Sequence, residues 1–294
     1  MSRFLDALRS GRVLLMDGAM GTELQRAGLK PGECGELWNL THPEKVRAIH
    51  QANVDAGAEV LLTNTFQANP AALQRYNAAD QCEAICRAAV ELARQAAGAD
   101  RWVLGDIGPY QSDVELQGLQ TLVKALAQAG TDGFLIETCS DPYPLLNLWK
   151  VLDYPLRQRF PVLISFTYRR DRDNQVRTIG GLSADQIASW IDDCSVPALG
   201  INCGRDIGLP QIAEVVVAYR GNVSRPIFVR PNAGTPKQVE DRWIYPHSPE
   251  YMASWLPELL KAGVSMVGGC CGTTPAHIAA FKPIVDAWNA RRPI

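Results

Sequence analysis

The sequence predicts an α/β fold, a (βα)8 TIM barrel built as one domain over residues 1–294, and three observations predict it. Short apolar runs alternate with helical patterns from end to end; eight such units can be counted; and the polar and sulfur-bearing residues gather just after the runs. Continuous β-branched-rich runs bounded by Gly or Pro are the pattern of parallel strands buried on both faces. Closing such a sheet into a barrel removes both of its edges. A doubly wound open sheet is the competing arrangement.

The expected strands, in order, are Val13–Met16, Val60–Thr63, Trp102–Gly105, Gly133–Ile136, Val162–Phe166, Ala198–Ile201, Pro226–Val229 and Ser265–Val267. The helices between them carry recognisable ends. Thr41-His42-Pro43-Glu44 reads as a capping box and Gly57 as the stop of the helix it opens. Cys82, Ile85, Cys86, Ala89, Leu92, Ala93 and Ala96 share one helical stripe that ends at Gly98. Ser183 and Gln186 form a second capping box, while Asp141-Pro142, Ser248-Pro249 and Thr274-Pro275 place proline at a first helical position.

Composition narrows the function. An apolar content of 47% in 294 residues supports a sizeable core. Lys+Arg 29 against Asp+Glu 31 leaves a net charge of -2, which argues against a broad basic surface for nucleic acid or anionic lipid. No run reaches the length of a membrane span, and the first twenty residues lack the apolar centre of a signal peptide. A cytoplasmic location is expected. In that reducing setting the eight cysteines read as packed residues or metal ligands, not disulfides.

Chemistry in such a barrel gathers at the carboxyl ends of the strands. There the chain carries Asp17-Gly18-Ala19-Met20, Thr63-Asn64-Thr65, Gly105-Asp106-Ile107, Glu137-Thr138-Cys139, Asn202-Cys203-Gly204, Pro231-Asn232-Ala233-Gly234 and Gly268-Gly269-Cys270-Cys271-Gly272. Adjacent residues of a regular strand point to opposite faces, so Cys270 and Cys271 need the surrounding glycines to turn both sulfurs to one point. A third sulfur from Cys203, two strands away, completes three soft ligands suited to zinc, with the fourth tetrahedral position open as in a catalytic site. On spacing alone, two small buried residues in a glycine-rich loop is an equal reading.

These motifs resemble the homocysteine S-methyltransferase family, including the homocysteine-binding module of cobalamin-dependent methionine synthase. The matching segments are DGAMGTEL at 17–24, TNTF at 63–66, GDIGP at 105–109, IETCSD at 136–141, GINCG at 200–204, PNAG at 231–234 and GGCCGTTPAHI at 268–278. The resemblance implies that Cys203, Cys270 and Cys271 bind Zn2+ and that the reaction is methyl transfer to the homocysteine thiol, giving methionine. It further implies that Asp17 lies near the amino-acid end of the substrate and that Glu137 binds its ammonium. The amides of Gly18, Ala19 and Met20 would receive its carboxylate, an anion-binding role that suits a tight turn. Thr63 is implied as a pocket wall, and Asn232 as the occupant of the fourth zinc position when substrate is absent.

Other readings stand beside these. Asp17 in isolation is a turn residue, and Glu137 a structural ion-pair partner. Cys82 and Cys86 fit core packing, Cys139 at most lines the pocket, and no catalytic imidazole is expected among His42, His50, His247 and His277. Rival functions are a methyltransferase for another small thiol or selenol, a zinc barrel hydrolase, and a non-enzymatic zinc or redox module. The hydrolase would want His and carboxylate ligands, and the module C-x-x-C pairs, which the chain lacks. The donor is expected among a methyl-corrinoid, S-methylmethionine and S-adenosylmethionine. GDIGP and PNAGTP look nearer to the methionine synthase module, which suggests a corrinoid carried by a separate protein, since a chain of this length holds only the homocysteine barrel.

Overall fold

A computed structural model describes residues 3–110, 113–152, 154–192, 194–239 and 242–291. The barrel strands are β1 (Leu14–Leu15), β2 (Val60–Leu62), β3 (Trp102–Ile107), β4 (Gly133–Cys139), β5 (Val162–Phe166), β6 (Leu199–Cys203), β7 (Ile227–Pro231) and β8 (Val264–Val267). From β2 to β8 each strand pairs in parallel with the next, and β8 pairs with β1. The ring closes through the parallel bridge Met16–Val60, supported by the Asp17 amide donating to Val60 O (2.9 Å) and the Glu59 amide to Leu15 O (2.7 Å). The TIM barrel expected from the sequence is what the chain forms.

Strand alternation sorts the side chains into two cores. Outward residues such as Val103, Ile107, Ile136, Ile164 and Val229 pack under the helices. Inward residues Leu14, Met16, Leu62, Leu104, Leu135, Leu163, Phe228 and Met266 fill the barrel. Its amino-terminal end is plugged by a helix, Arg3–Arg9, whose Phe4 and Leu8 are buried in that same cluster. One residue pair further along the inward columns, apolar gives way to polar: Asp106, Glu137, Ser165, Asn202 and Arg230 are all buried there. That change of character within one column makes the carboxyl end a site and leaves the other end a packed core.

Several strands run further than the apolar runs indicated, β3 to Ile107, β4 to Cys139, β6 to Cys203 and β7 to Pro231, because the backbone ladder continues beneath polar side chains. Helix ends also differ in places. Thr41 does not form the expected box; its hydroxyl bonds back to Leu37 O, and His42 takes the N-cap position of Pro43–Asp55 without a side-chain cap. The helix after β4 starts at Tyr143, with Pro142 as N-cap and Asp141 accepting from the Tyr143 amide. The box at Ser183/Gln186 forms, as does the Ser248 cap, and Pro275 opens its helix, where the Thr274 amide donates to His277 Nδ1. Two hairpins, Tyr168–Arg170 with Val176–Thr178 and Lys237–Val239 with Arg242–Ile244, stand above the mouth and were not foreseen. Among the described residues no helix is long and apolar enough to cross a membrane.

The inner core leaves no slack at Gly200. A Cβ there would sit 2.2 Å from the Phe228 ring, so glycine on β6 is what lets phenylalanine on β7 fill the barrel. Gly200→Ala is expected to destabilise the fold by about 1–3 kcal/mol through overpacking. A denaturant midpoint equal to wild type would show that Phe228 has room the packing denies.

Candidate functional site

At the carboxyl end a cavity of about 430 Å³ is lined by Asp17, Asp106, Glu137, Arg230 and the three cysteines, with Gly18, Ala19, Met20 and Thr63 on its walls. A larger open depression of about 850 Å³ lies at the opposite end, beside Val162, Val196 and Pro226 at the strand starts, away from every sulfur of the cluster.

The sulfur atoms of Cys203, Cys270 and Cys271 lie within 4.8 Å of one another, the one group of potential metal ligands that close among the described residues. An ion with tetrahedral bonds of about 2.3 Å sets its sulfurs about 3.8 Å apart. Cys270 and Cys271 stand at 4.0 Å, so the donor set fits a soft divalent ion with little adjustment. Backbone turns achieve this convergence. Cys203 ends β6 in the left-handed region (φ 57), which swings its side chain off the strand's alternation. Gly272 (φ 82) closes the Cys-Cys turn, and Tyr245 packs so close over it that a Cβ would meet the ring at 2.0 Å.

The loop carrying the pair is tied to the loop after β1. Ala19 N–H donates to Thr273 Oγ1 (3.1 Å), Gly272 N–H to Thr22 Oγ1 (3.1 Å) and Gly269 N–H to Asp17 O (3.0 Å). As three thiols the cluster shares its protons unevenly. Hydrogen bonds from Cys270 and Cys271 pull Cys203 down to about 3, and the same bonds push Cys270 up to about 12 and Cys271 upward. Asn232 donates to Gly204 O (3.1 Å) and also steadies the Cys203 thiolate, while its buried Oδ1 has no partner among the described residues.

Facing the sulfurs is a buried ionic cluster. Arg230 lies between Asp17 (3.2 Å) and Glu137 (3.3 Å), and also donates to Gly18 O and Gly269 O. Asp17 accepts in addition from the Leu62 amide at 2.8 Å. Burial pushes Asp17 up to about 6 and Glu137 up to about 8, against the pull of Arg230. Asp106, 7% exposed, sits beside them on β3, its backbone held by Thr63 and Thr65.

The structure thus brings together all of Asp17, Gly18, Ala19, Met20, Thr63, Glu137 and the three cysteines around one cavity, with Asn232 behind Cys203. It corrects the expectation for two amides: Gly18 N–H already donates to Asn53 Oδ1 (2.9 Å) and Ala19 N–H to Thr273, so neither is free to hold an anion. Cys139 is fully buried on the outward side of β4, in the core under the helices. Cys82 and Cys86 pack in that same core. His277 closes its helix cap and its Nε2 donates to His247 O. Arg230 and Tyr245 were missed, and Asp106, named at its strand end, was given no role. The signal available was parity, since Arg230 follows inward Phe228 by two residues and Asp106 follows inward Leu104 by two.

A carboxyl raised from 4.5 to about 8 binds its proton more tightly in the folded chain. Its contribution is therefore full below the unfolded value and lost as pH rises through the folded one. The stability of wild type relative to Glu137→Gln is expected to fall between pH 5 and pH 8 and to level above it. The pairwise comparison isolates Glu137, because depressed Cys203 titrates in the opposite sense over that range. A difference in melting temperature that stays constant with pH would contradict the assignment.

Comparisons with known proteins agree with this geometry. A family profile described as homocysteine S-methyltransferase matches residues 14–285. A methionine synthase of Mycobacterium tuberculosis is 31% identical over 98% of this chain, which spans only 26% of that protein, about a quarter of its length. A homocysteine S-methyltransferase of Escherichia coli is 31% identical over 92% of this chain and 94% of its own. The metallated form of the homocysteine methyltransferase MmuM from Escherichia coli superposes with a TM-score of 0.75 at 29% identity, covering 95% of this chain and 99% of that one. By profile, sequence and barrel architecture alike, the chain belongs to the homocysteine S-methyltransferase family.

Proposed function

We propose that this chain, as a single barrel domain over 1–294, transfers a methyl group to the thiol of homocysteine and gives methionine, with Zn2+ held by Cys203, Cys270 and Cys271. The observation that carries the reading is one cavity walled by three convergent sulfurs on one side and buried carboxylates on the other. A small amino acid ending in a thiol satisfies both walls at once. The family membership supports the same reaction.

Bound zinc supplies a Lewis acid that keeps the acceptor sulfur as a thiolate at neutral pH. Cys203, Cys270 and Cys271 would hold the ion and leave it able to take that sulfur as a further ligand. Asn232 would take that place between turnovers, in keeping with a buried Oδ1 that has no hydrogen-bond partner among the described residues. Asp17 and Glu137 stand at the amino-acid end and orient the acceptor. With the amides of Gly18 and Ala19 engaged, the carboxylate is received at Met20, and Thr63 walls the pocket. An all-sulfur ligand set speaks for thiol alkylation over hydrolysis. A selenol acceptor would meet the same groups.

The methyl group comes from a second substrate, for which GDIGP and PNAGTP favour a corrinoid on a separate protein over a sulfonium. Free thiols in the site favour a reducing compartment, the cytoplasm. Cys203→Ala and Cys271→Ala are each expected to stay folded yet lose zinc and turnover by more than the ~10–100-fold typical of outer-sphere changes. Zinc content by atomic absorption, with methionine formed from homocysteine and each donor in turn, makes the test. Full zinc and normal rates in both variants would refute the ligand set.

A further inference from the structure

The register between β4 and β5 slips at the site, where Ile136 pairs with Ile164 but Cys139 pairs with Phe166. Three steps along one strand match two along the other, which is a β-bulge. Thr138 stands at its turn with φ 64, in the left-handed region, a costly conformation for a β-branched side chain. The bulge is why Glu137 and Thr138 both face the cavity while Cys139 returns to the outer core. One amide holds it in this shape. Asn202, fully buried on β6, places all of its hydrogen-bonding groups. Its Oδ1 accepts from the Thr138 N–H (2.8 Å) and from the Ser165 hydroxyl. Its Nδ2 donates to Thr138 Oγ1 (2.8 Å) and directs its other hydrogen at Cys270 Sγ, 4.0 Å away. Thr138 is thus gripped through backbone and side chain, by an amide that also reaches a sulfur of the cluster.

We infer that Asn202 is a positioning residue for methyl transfer, clamping the β4 bulge in its strained shape and tempering the Cys270 sulfur with its remaining N–H. The inference rests on the methyl-transfer reading and extends it, from groups that touch the acceptor to one that sets their shape. Without the clamp the bulge would relax toward ordinary extended backbone. A bound acceptor would then have to re-impose the left-handed turn at Thr138, and its affinity would fall by the cost of doing so. An N–H aimed at a ligand thiolate draws electron density from it, which leaves the ion a stronger acid toward an incoming sulfur.

The test uses the whole chain with cobalt in the metal site and reads two signals. These are the sulfur-to-metal absorption band before any acceptor is added, and the affinity for L-homocysteine. In Asn202→Ala the band should move to longer wavelength, because a sulfur that has lost its N–H gives up electron density more easily. The homocysteine affinity should fall about five- to a hundredfold, the factor by which a strained left-handed residue is disfavoured. Asn202→Ala/Thr138→Gly should recover that affinity to within about threefold of wild type, since glycine takes a positive φ without steric cost, while the band stays shifted. A residue that merely filled space would not be rescued by glycine on another strand.

A wild-type band position or a wild-type affinity in Asn202→Ala overturns the inference. So does a lost affinity that Thr138→Gly fails to restore, because the clamp would then not act through the turn. If Asn202→Ala does not fold, the double variant decides. Folded and with affinity restored, it upholds the clamp; unfolded, it makes Asn202 a structural post and overturns the inference. Failure of the two readings is separable. If homocysteine adds no sulfur-to-metal absorption in wild type, the methyl-transfer reading falls and takes this one with it. If it does and Asn202→Ala matches wild type, only the role of Asn202 falls.

Discussion

One guanidinium holds the mouth of this barrel together. Arg230, on β7 and 4% exposed, reaches across to Asp17 after β1 and to Glu137 on β4, tying distant parts of the ring through a single side chain. Such an arrangement is weak evidence for stability, since desolvating the charges costs nearly what their attraction returns. Its consequence is geometric. With the guanidinium in place the two carboxyl groups have one arrangement, and without it two buried carboxyl groups would face each other without their shared partner. Removing one partner from a set of this kind costs about 3–5 kcal/mol, far more than the intact set contributes over an apolar replacement. The acidic wall of the pocket is therefore built before any ligand arrives.

The barrel itself was legible because its strands are β-branched-rich runs punctuated by glycine and proline, and eight of them in α/β alternation admit few closures. The cysteine ligands were legible because adjacent cysteines flanked by glycines make little sense in a strand that alternates faces. The inward orientation of Arg230 and Asp106 was not legible for the opposite reason. Each lies just past the apolar run that marks its strand, where composition reads as loop, and an isolated charged residue there looks solvated. Only continuing the two-residue parity of Leu104 and Phe228 one step further turns both inward. The plug helix Arg3–Arg9 and the two mouth hairpins escaped because three- to seven-residue elements carry too few positions to establish a period.

The amides of Gly18 and Ala19 show the limit of transferring a motif without its surroundings. The DGAMGT turn has the sequence of an anion-binding concavity, but Asn53 from the helix Pro43–Asp55 and Thr273 from the loop after β8 occupy two of its donors. The turn thereby becomes a joint. It fixes the loop that carries Cys270 and Cys271 to the loop that carries Asp17, so the sulfur wall and the acidic wall move as one body.

β7 is the element through which both walls are set. Its inward Arg230 orders the carboxylates. One residue on, Pro231 pairs in register with Cys203 and its carbonyl accepts from the Cys270 amide at 2.9 Å. Proline has no N–H with which to extend the ladder, and opposite it Cys203 leaves the strand for the left-handed region. Asn232 then stands against Cys203, and the Ala233 amide bonds to Cys271 O at 2.9 Å. Four consecutive residues thus reach one carboxylate cluster, the Cys203 side chain and the backbone of Cys270 and Cys271. A change along this strand would be felt at both ends of a bound amino-acid thiol, because the register of one short strand determines the separation between the groups that grip its two ends.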